Sequence, residues 1–131
     1  MNRPDDDVPE AQLAVLQVLW QRGEATRRQI AEVLYPEGTP ANYATVQKLL
    51  ERLEERGLVR RGGSERQRTF AAALTRDELL GRRLGHLADR LCGGALTPLV
   101  VNLVKVRPLT AAELDELRAF VREQERNRRK P

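Results

Sequence analysis

Apolar residues recur along most of the chain with the three-to-four spacing of amphipathic helices. Leu13, Leu16 and Trp20, widened by Val15 and Leu19, predict a helix over Pro9 to Arg22, with Gly23 as its stop. Thr26 with Gln29 forms a capping box that opens a second helix. Its core face reads as Ile30, Val33 and Leu34, and Pro36 with Gly38 ends it. Thr39-Pro40 supplies an N-cap and a first-turn proline for a third helix running to about Arg56, and Gly57 suits a left-handed cap. The period then changes. Leu58-Val59-Arg60-Arg61 and Arg66 to Ala72 flank Gly62-Gly63-Ser64-Glu65, which predicts a β-hairpin with those four residues as a flexible tip.

The rest is helical again. A second capping box, Thr75 with Glu78, leads a helix carrying Leu79, Leu80, Leu84, Leu87 and Leu91 to a break at Gly93-Gly94. Thr97-Pro98 starts a short helix with Leu99, Val100, Leu103 and Val104, broken by Pro108. A third box, Thr110 with Glu113, leads Leu114, Leu117, Phe120 and Val121 towards a charged tail. Three helices followed by a hairpin is the element order of a winged helix-turn-helix. The expected fold is therefore mainly α with a small β-hairpin: an N-terminal winged helix-turn-helix over residues 1–73 and a C-terminal helical dimerisation domain over 74–131. Three amphipathic helices make a thin core by themselves, so a homodimer is expected. Its interface would draw Leu80, Leu84, Leu87 and Leu91 from one helix, Leu99 and Leu103 from the next, and Leu114, Leu117, Phe120 and Val121 from the last.

Composition narrows the chemistry. The 131 residues carry one cysteine, one histidine and a net charge of +4. Cys92 and His86 leave little material for metal or acid–base catalysis, and Ser64 has no histidine partner at any motif spacing. The acidic run Asp5-Asp6-Asp7 lies in the terminal segment, so an enzyme is not expected, nor a metal or a cofactor. Leu96 to Val104 is far shorter than the roughly 20 residues a bilayer crossing requires, and no secretory signal is visible. A lone cysteine suits a reducing compartment, which points to a cytoplasmic protein with no membrane insertion.

The charge is unevenly spread. Residues 1–40 sum to −3, residues 41–68 to +3, and the tail from 121 to +3, around a nearly neutral block. On a helical wheel, Val46, Leu49, Leu50 and Leu53 of the third helix fall within about 60° of one another. Ala41, Ala44, Lys48, Arg52 and Glu55 lie opposite, with Thr45 and Gln47 on the flanks. Small and polar residues first, then long cations one and two turns later, suit a helix pressed by its N-terminal half into a major groove. Arg52 sits where a phosphate contact is reasonable. Arg60, Arg61, Arg66 and Arg68 would place cations on a projecting ribbon that follows a backbone or enters a minor groove. Arg27 and Arg28 oppose the dipole in the first turn of the second helix, which a neighbouring phosphate would explain. The bland alternative is a solvated face, because Glu51, Glu54 and Glu55 are interleaved with the cations. A winged-helix protein-interaction module without specific DNA binding is the second reading.

Pro9-Glu-Ala-Gln-Leu13, Val18-Leu-Trp20, Gly23-Glu-Ala-Thr26, Tyr43-Ala-Thr45-Val46, Leu49-Leu50, Arg52-Leu53, Arg56-Gly57-Leu58, Leu91-Cys-Gly-Gly94 and Leu109-Thr-Ala-Ala-Glu-Leu114 fall in order. In that order the chain resembles the penicillinase repressor family, which includes the β-lactamase and methicillin-resistance repressors and copper-responsive relatives. The resemblance implies a homodimeric winged-helix repressor of a palindromic double-stranded DNA operator, with Tyr43, Thr45, Gln47 and Lys48 on its recognition helix. Together with the residue patterns, the expected contact set is Arg27 and Arg28, then Asn42, Tyr43, Ala44, Thr45, Gln47, Lys48 and Arg52, and Arg61, Arg66 and Arg68 of the hairpin. Family members usually have threonine where Ala44 and Lys48 stand, which implies a different operator sequence. The usual Gly-Arg pair of the wing appears as Glu65-Arg66. In the antibiotic-responsive members, a membrane metalloprotease sensor leads to cleavage in the dimerisation domain, and alignment places that bond at Asn102–Leu103. An ordinary amphipathic helix with Asn102 as its polar position is the alternative. The copper-responsive branch uses a cysteine-rich hook, which Cys92 and His86 alone do not supply.

Overall fold

The computed structural model describes residues 8–130, so Asp5-Asp6-Asp7 lies outside the described residues. Among them the order is α1 (Glu10–Arg22), β1 (Glu24–Thr26), α2 (Arg27–Leu34), α3 (Pro40–Glu55), β2 (Val59–Gly63), β3 (Arg68–Ala72), α4 (Arg76–Cys92), α5 (Thr97–Val106) and α6 (Ala111–Arg129). The fold is mainly α with a small β wing. Two compact units divide between His86 and Leu87, inside α4.

The first unit is built around α3. Val46, Leu50 and Leu53 are essentially sealed, and they meet Val15, Leu16 and Leu19 of α1, Ile30 of α2, Leu58, Phe70 and Leu74. The capping signals are satisfied as read. Thr26 Oγ1 accepts from the Gln29 amide at 3.1 Å while Gln29 returns the bond to the Thr26 amide, and Thr39 caps α3 through the Asn42 amide at 3.2 Å. Gly57 ends α3 with φ +75°, the left-handed conformation glycine adopts without steric cost. Gln12 is buried and accepts from Arg56 Nη1 at 2.8 Å, which compensates its desolvation. Trp20 packs against the core and donates from Nε1 to the Leu74 carbonyl at 2.9 Å, while the Arg76 guanidinium lies 5.4 Å from its ring centroid. These contacts tie the start of α4 to α1.

Three local expectations are corrected. Val33, read as core, is half exposed. α2 leans on Ile30, Ala31 and Leu34, whose faces centre about 110° from Val33 at 100° per residue. Glu24–Thr26 is a strand that the pattern did not announce, and it completes a three-stranded sheet in the order β1-β3-β2. Its register pairs Ala25 with Phe70 and Thr26 with Thr69. Thr26 serves both elements, because its extended backbone (φ −79°, ψ 161°) fits a strand end and an N-cap alike. Gly62 and Gly63 are not the hairpin tip but the end of β2, opposite Thr69 and Arg68. The turn falls at residues 64–67, closed by the Ser64 amide on the Gln67 carbonyl and the Gln67 amide on Ser64 Oγ, both at 3.2 Å. Gly63 has φ +73°, and a Cβ there would stand 2.3 Å from the Gln67 carbonyl oxygen, so the wing bends only with glycine at this position.

The second unit holds the last turns of α4, α5 and α6. Gly93 and Gly94, both at positive φ, end α4, and the Gly94 amide reaches back to the Ala88 carbonyl at 3.0 Å. Thr110 and Glu113 cap α6 reciprocally, each bond 3.1 Å long. The charged tail is helical: α6 continues through Arg126, Arg128 and Arg129, cations that complement the negative end of the helix dipole. No residue of α5 or α6 is buried within the chain. No single helix among the described residues is long and apolar enough to cross a membrane.

Candidate nucleic-acid interface

Strand register decides which wing cations face the helices. Directly paired residues share a sheet face, so Arg61 lies on the side of its partner Phe70, and Arg68, two residues before Phe70, joins it. Arg60 pairs with Ala71 and therefore lies on the other face, away from its three neighbours in sequence-based expectation. The helix-facing side of the hairpin, the start of α2 and the first half of α3 enclose an open groove of 1070 Å³. Arg27, Arg28, Arg61, Arg66 and Arg68 line it, against the single carboxylate of Glu65. Five guanidiniums around one concave track form a favourable site for a polyanion, since each offers a fork of donors that matches phosphate oxygens.

The recognition-helix candidates fall in three groups. Tyr43 and Gln47 line the groove. Ala44, Thr45, Lys48 and Arg52 are exposed on α3, outside the groove lining. Asn42 is half-buried in the first turn, with its amide taken by the Thr39 cap. Thr45 Oγ1 donates to the Ala41 carbonyl at 3.0 Å, which leaves its oxygen lone pairs facing outward as acceptors. The interleaved glutamates have definite tasks. Glu54 binds Arg61 Nε at 2.8 Å, and Glu51 accepts from Gln47 Nε2 at 3.0 Å. Arg27 Nη1 in turn donates to Gln47 Oε1. The acids thus orient groove residues rather than merely cancelling their charge.

Thr26, Pro40 and Gln67 also line the groove and were absent from the expected set. Gln67 depended on where the turn falls, which no local signal in this glycine-containing stretch revealed. Asn102 and Leu103 sit inside α5, both exposed, and Asn102 Nδ2 donates to the Pro98 carbonyl at 2.8 Å. Of the expected interface residues, Leu80, Leu84, Leu87 and Leu91 form one stripe of α4, and Leu114, Leu117, Phe120 and Val121 form one face of α6. All eight are exposed, as is Leu103, while Leu99 is half-buried. Among the described residues, no group of three or more His, Cys, Asp or Glu side chains is placed to hold a metal ion.

A family pattern described as penicillinase repressor matches residues 8–123. Comparison with curated proteins gives no match. Solved structures similar to the chain include the YusO protein of Bacillus subtilis, 22% identical over 91% of this chain and 75% of that one, with a TM-score of 0.44. The PcaV transcriptional regulator of Streptomyces coelicolor is 22% identical over 92% and 76%, at 0.45. The adhesin competence repressor of Streptococcus pyogenes is 17% identical over 94% and 82%, also at 0.45.

Proposed function

Because the chain belongs to the penicillinase repressor family, a family of DNA-binding transcriptional repressors, we propose that it acts as a homodimer on a palindromic operator. Residues 1–73 read the DNA and residues 74–131 hold the two copies together. The observation that carries this reading is the arginine-lined groove beside the exposed face of α3. In the proposal, α3 enters the major groove and offers Asn42, Tyr43, Ala44, Thr45, Gln47 and Lys48 to base edges. Arg27, Arg28, Arg52, Arg61, Arg66 and Arg68 hold the phosphates. Two such heads would occupy half-sites about one helical turn, roughly 34 Å, apart. The protein-interaction alternative would need an acidic partner surface to fill a groove with five arginines and one glutamate.

The first test is a mobility-shift titration against random and genomic operator duplexes at low and moderate salt. Binding that weakens steeply with salt, with a subset of sequences held far more tightly, is expected. Lys48→Ala should then change which operator is preferred, at little cost on random DNA. Absence of any binding at low salt sinks the reading.

The same proposal includes release by proteolysis at Asn102–Leu103 after a cell-wall antibiotic signal through a membrane metalloprotease. The bond lies within the hydrogen-bonded turns of α5, so a protease that takes extended substrates must first unwind this exposed helix. Severing α5 would separate the two copies and remove the gain from paired binding. Incubation with extract from induced cells, with fragments mapped by mass spectrometry, should give a cut after Asn102. Intact protein alongside derepression would exclude it.

A further inference from the structure

Gln47 is held from both sides by partners of opposite character. Arg27, the first residue of α2, donates to its Oε1, and Glu51, one turn along α3, accepts from its Nε2. A guanidinium can only donate and a carboxylate can only accept. The reversed amide would set its NH2 against Arg27 and its oxygen against Glu51, losing both bonds and creating two like-polarity contacts. The orientation of this amide is therefore fixed before any ligand arrives, which removes the rotamer cost usually met on binding.

Each terminal atom of the amide keeps one site in hand: a second lone pair on Oε1 and a second hydrogen on Nε2. Gln47 lines the arginine groove, so this acceptor–donor pair belongs to the surface that faces a ligand. In the major groove, adenine presents an adjacent donor and acceptor, N6–H2 and N7, which such an amide matches with two bonds. Guanine shows two acceptors, one of which would face the amide oxygen, and cytosine and thymine each offer a single polar group. We infer that Gln47 is an adenine-specific reader whose amide is locked in register by Arg27 and Glu51, which act as positioning residues. Arg27 retains further N–H donors for phosphate, so backbone contact and base reading meet in one side chain.

The inference rests on the proposed DNA-binding function, and the experiment separates the two. The full chain selects sites from a randomised duplex library, and each selected position is then titrated as all four base pairs with wild type, Gln47→Ala and Glu51→Ala. Wild type should require adenine at one position of each half-site, with other bases bound about 5- to 150-fold more weakly there. Gln47→Ala should lose that preference and keep the others. Glu51→Ala should narrow the adenine preference without weakening overall affinity, because it removes an anion beside phosphates. A motif with no such adenine, or one that Gln47→Ala leaves intact, overturns the inference alone. Glu51→Ala that weakens all sequences equally also overturns it, by marking Glu51 as merely structural. A wild-type protein that selects no motif removes the sequence-specific reading itself, and this inference with it.

Discussion

Replacing Arg28, Arg66 and Arg68 together by alanine is expected to lower affinity for every duplex by about 100-fold near 0.15 M salt. The slope of log affinity against log salt should flatten by about 2.7, because each phosphate contact contributes about 0.9 through counterion release. All three side chains are exposed on the groove, so the fold loses no packing with them. Arg28 sharpens the test. It stands in a first helical turn that contains no acidic residue, where a cation opposes the helix dipole. Its removal should leave thermal stability unchanged or slightly raised while DNA binding falls. A loss of binding with no loss of stability marks a residue retained for its ligand. Titration at several salt concentrations, with a melting curve as control, measures both. An unchanged salt slope would mean that these arginines do not touch phosphate.

The second large effect concerns assembly. No residue of α5 or α6 is fully buried within the chain, and Val100, Val101, Leu103, Val106, Leu114, Leu117, Phe120 and Val121 are all exposed there. Fully burying one such side chain is worth about 1.5–3 kcal/mol, so a second copy that covered several of them would gain a large association energy. Leu117→Asp combined with Phe120→Asp places two carboxylates on that face without touching the core of the first unit. A monomer by sedimentation and an operator affinity reduced by about 100- to 10,000-fold are expected, since the second head no longer binds at high effective concentration. Affinity for a single half-site should be nearly unchanged. A variant that still sediments as a dimer would place the interface elsewhere.

Much of the architecture was legible in the chain because its signals are local. Thr26 with Gln29, Thr75 with Glu78 and Thr110 with Glu113 each begin a helix, for a capping box closes within four residues. The buried stripe Val46, Leu49, Leu50, Leu53 follows from helical period alone. What failed was non-local or depended on a neighbour's shape. β1 exists because β3 is there to pair with it, and three residues that follow a glycine and end on an N-cap carry no strand period. Val33 is exposed because α2 leans on Ala31, a choice made by the packing partner. The hairpin tip moved to residues 64–67 because Gly63, with no Cβ, can both pair in β2 and take the positive φ that starts the turn.

The candidate site divides the same way. By itself, the amino-acid sequence determined the helices, their caps and the core face of α3, which rest on residues close together along the chain, and the family resemblance, which rests on the linear order of short segments. It also set the +3 excess over residues 41–68 that first pointed to a polyanion. Only the tertiary structure decided how that charge is used. Antiparallel register sent Arg61 and Arg68 into the groove and Arg60 to the opposite face. The approach of α2 to α3 brought Arg27 to Gln47 across 20 positions of sequence. Glu51 and Glu54, which in the linear chain only diluted the positive charge, became the partners that aim Gln47 and Arg61. The reason is physical: charge sums are additive along a chain, whereas the direction in which a donor or acceptor points is set by its neighbours in space.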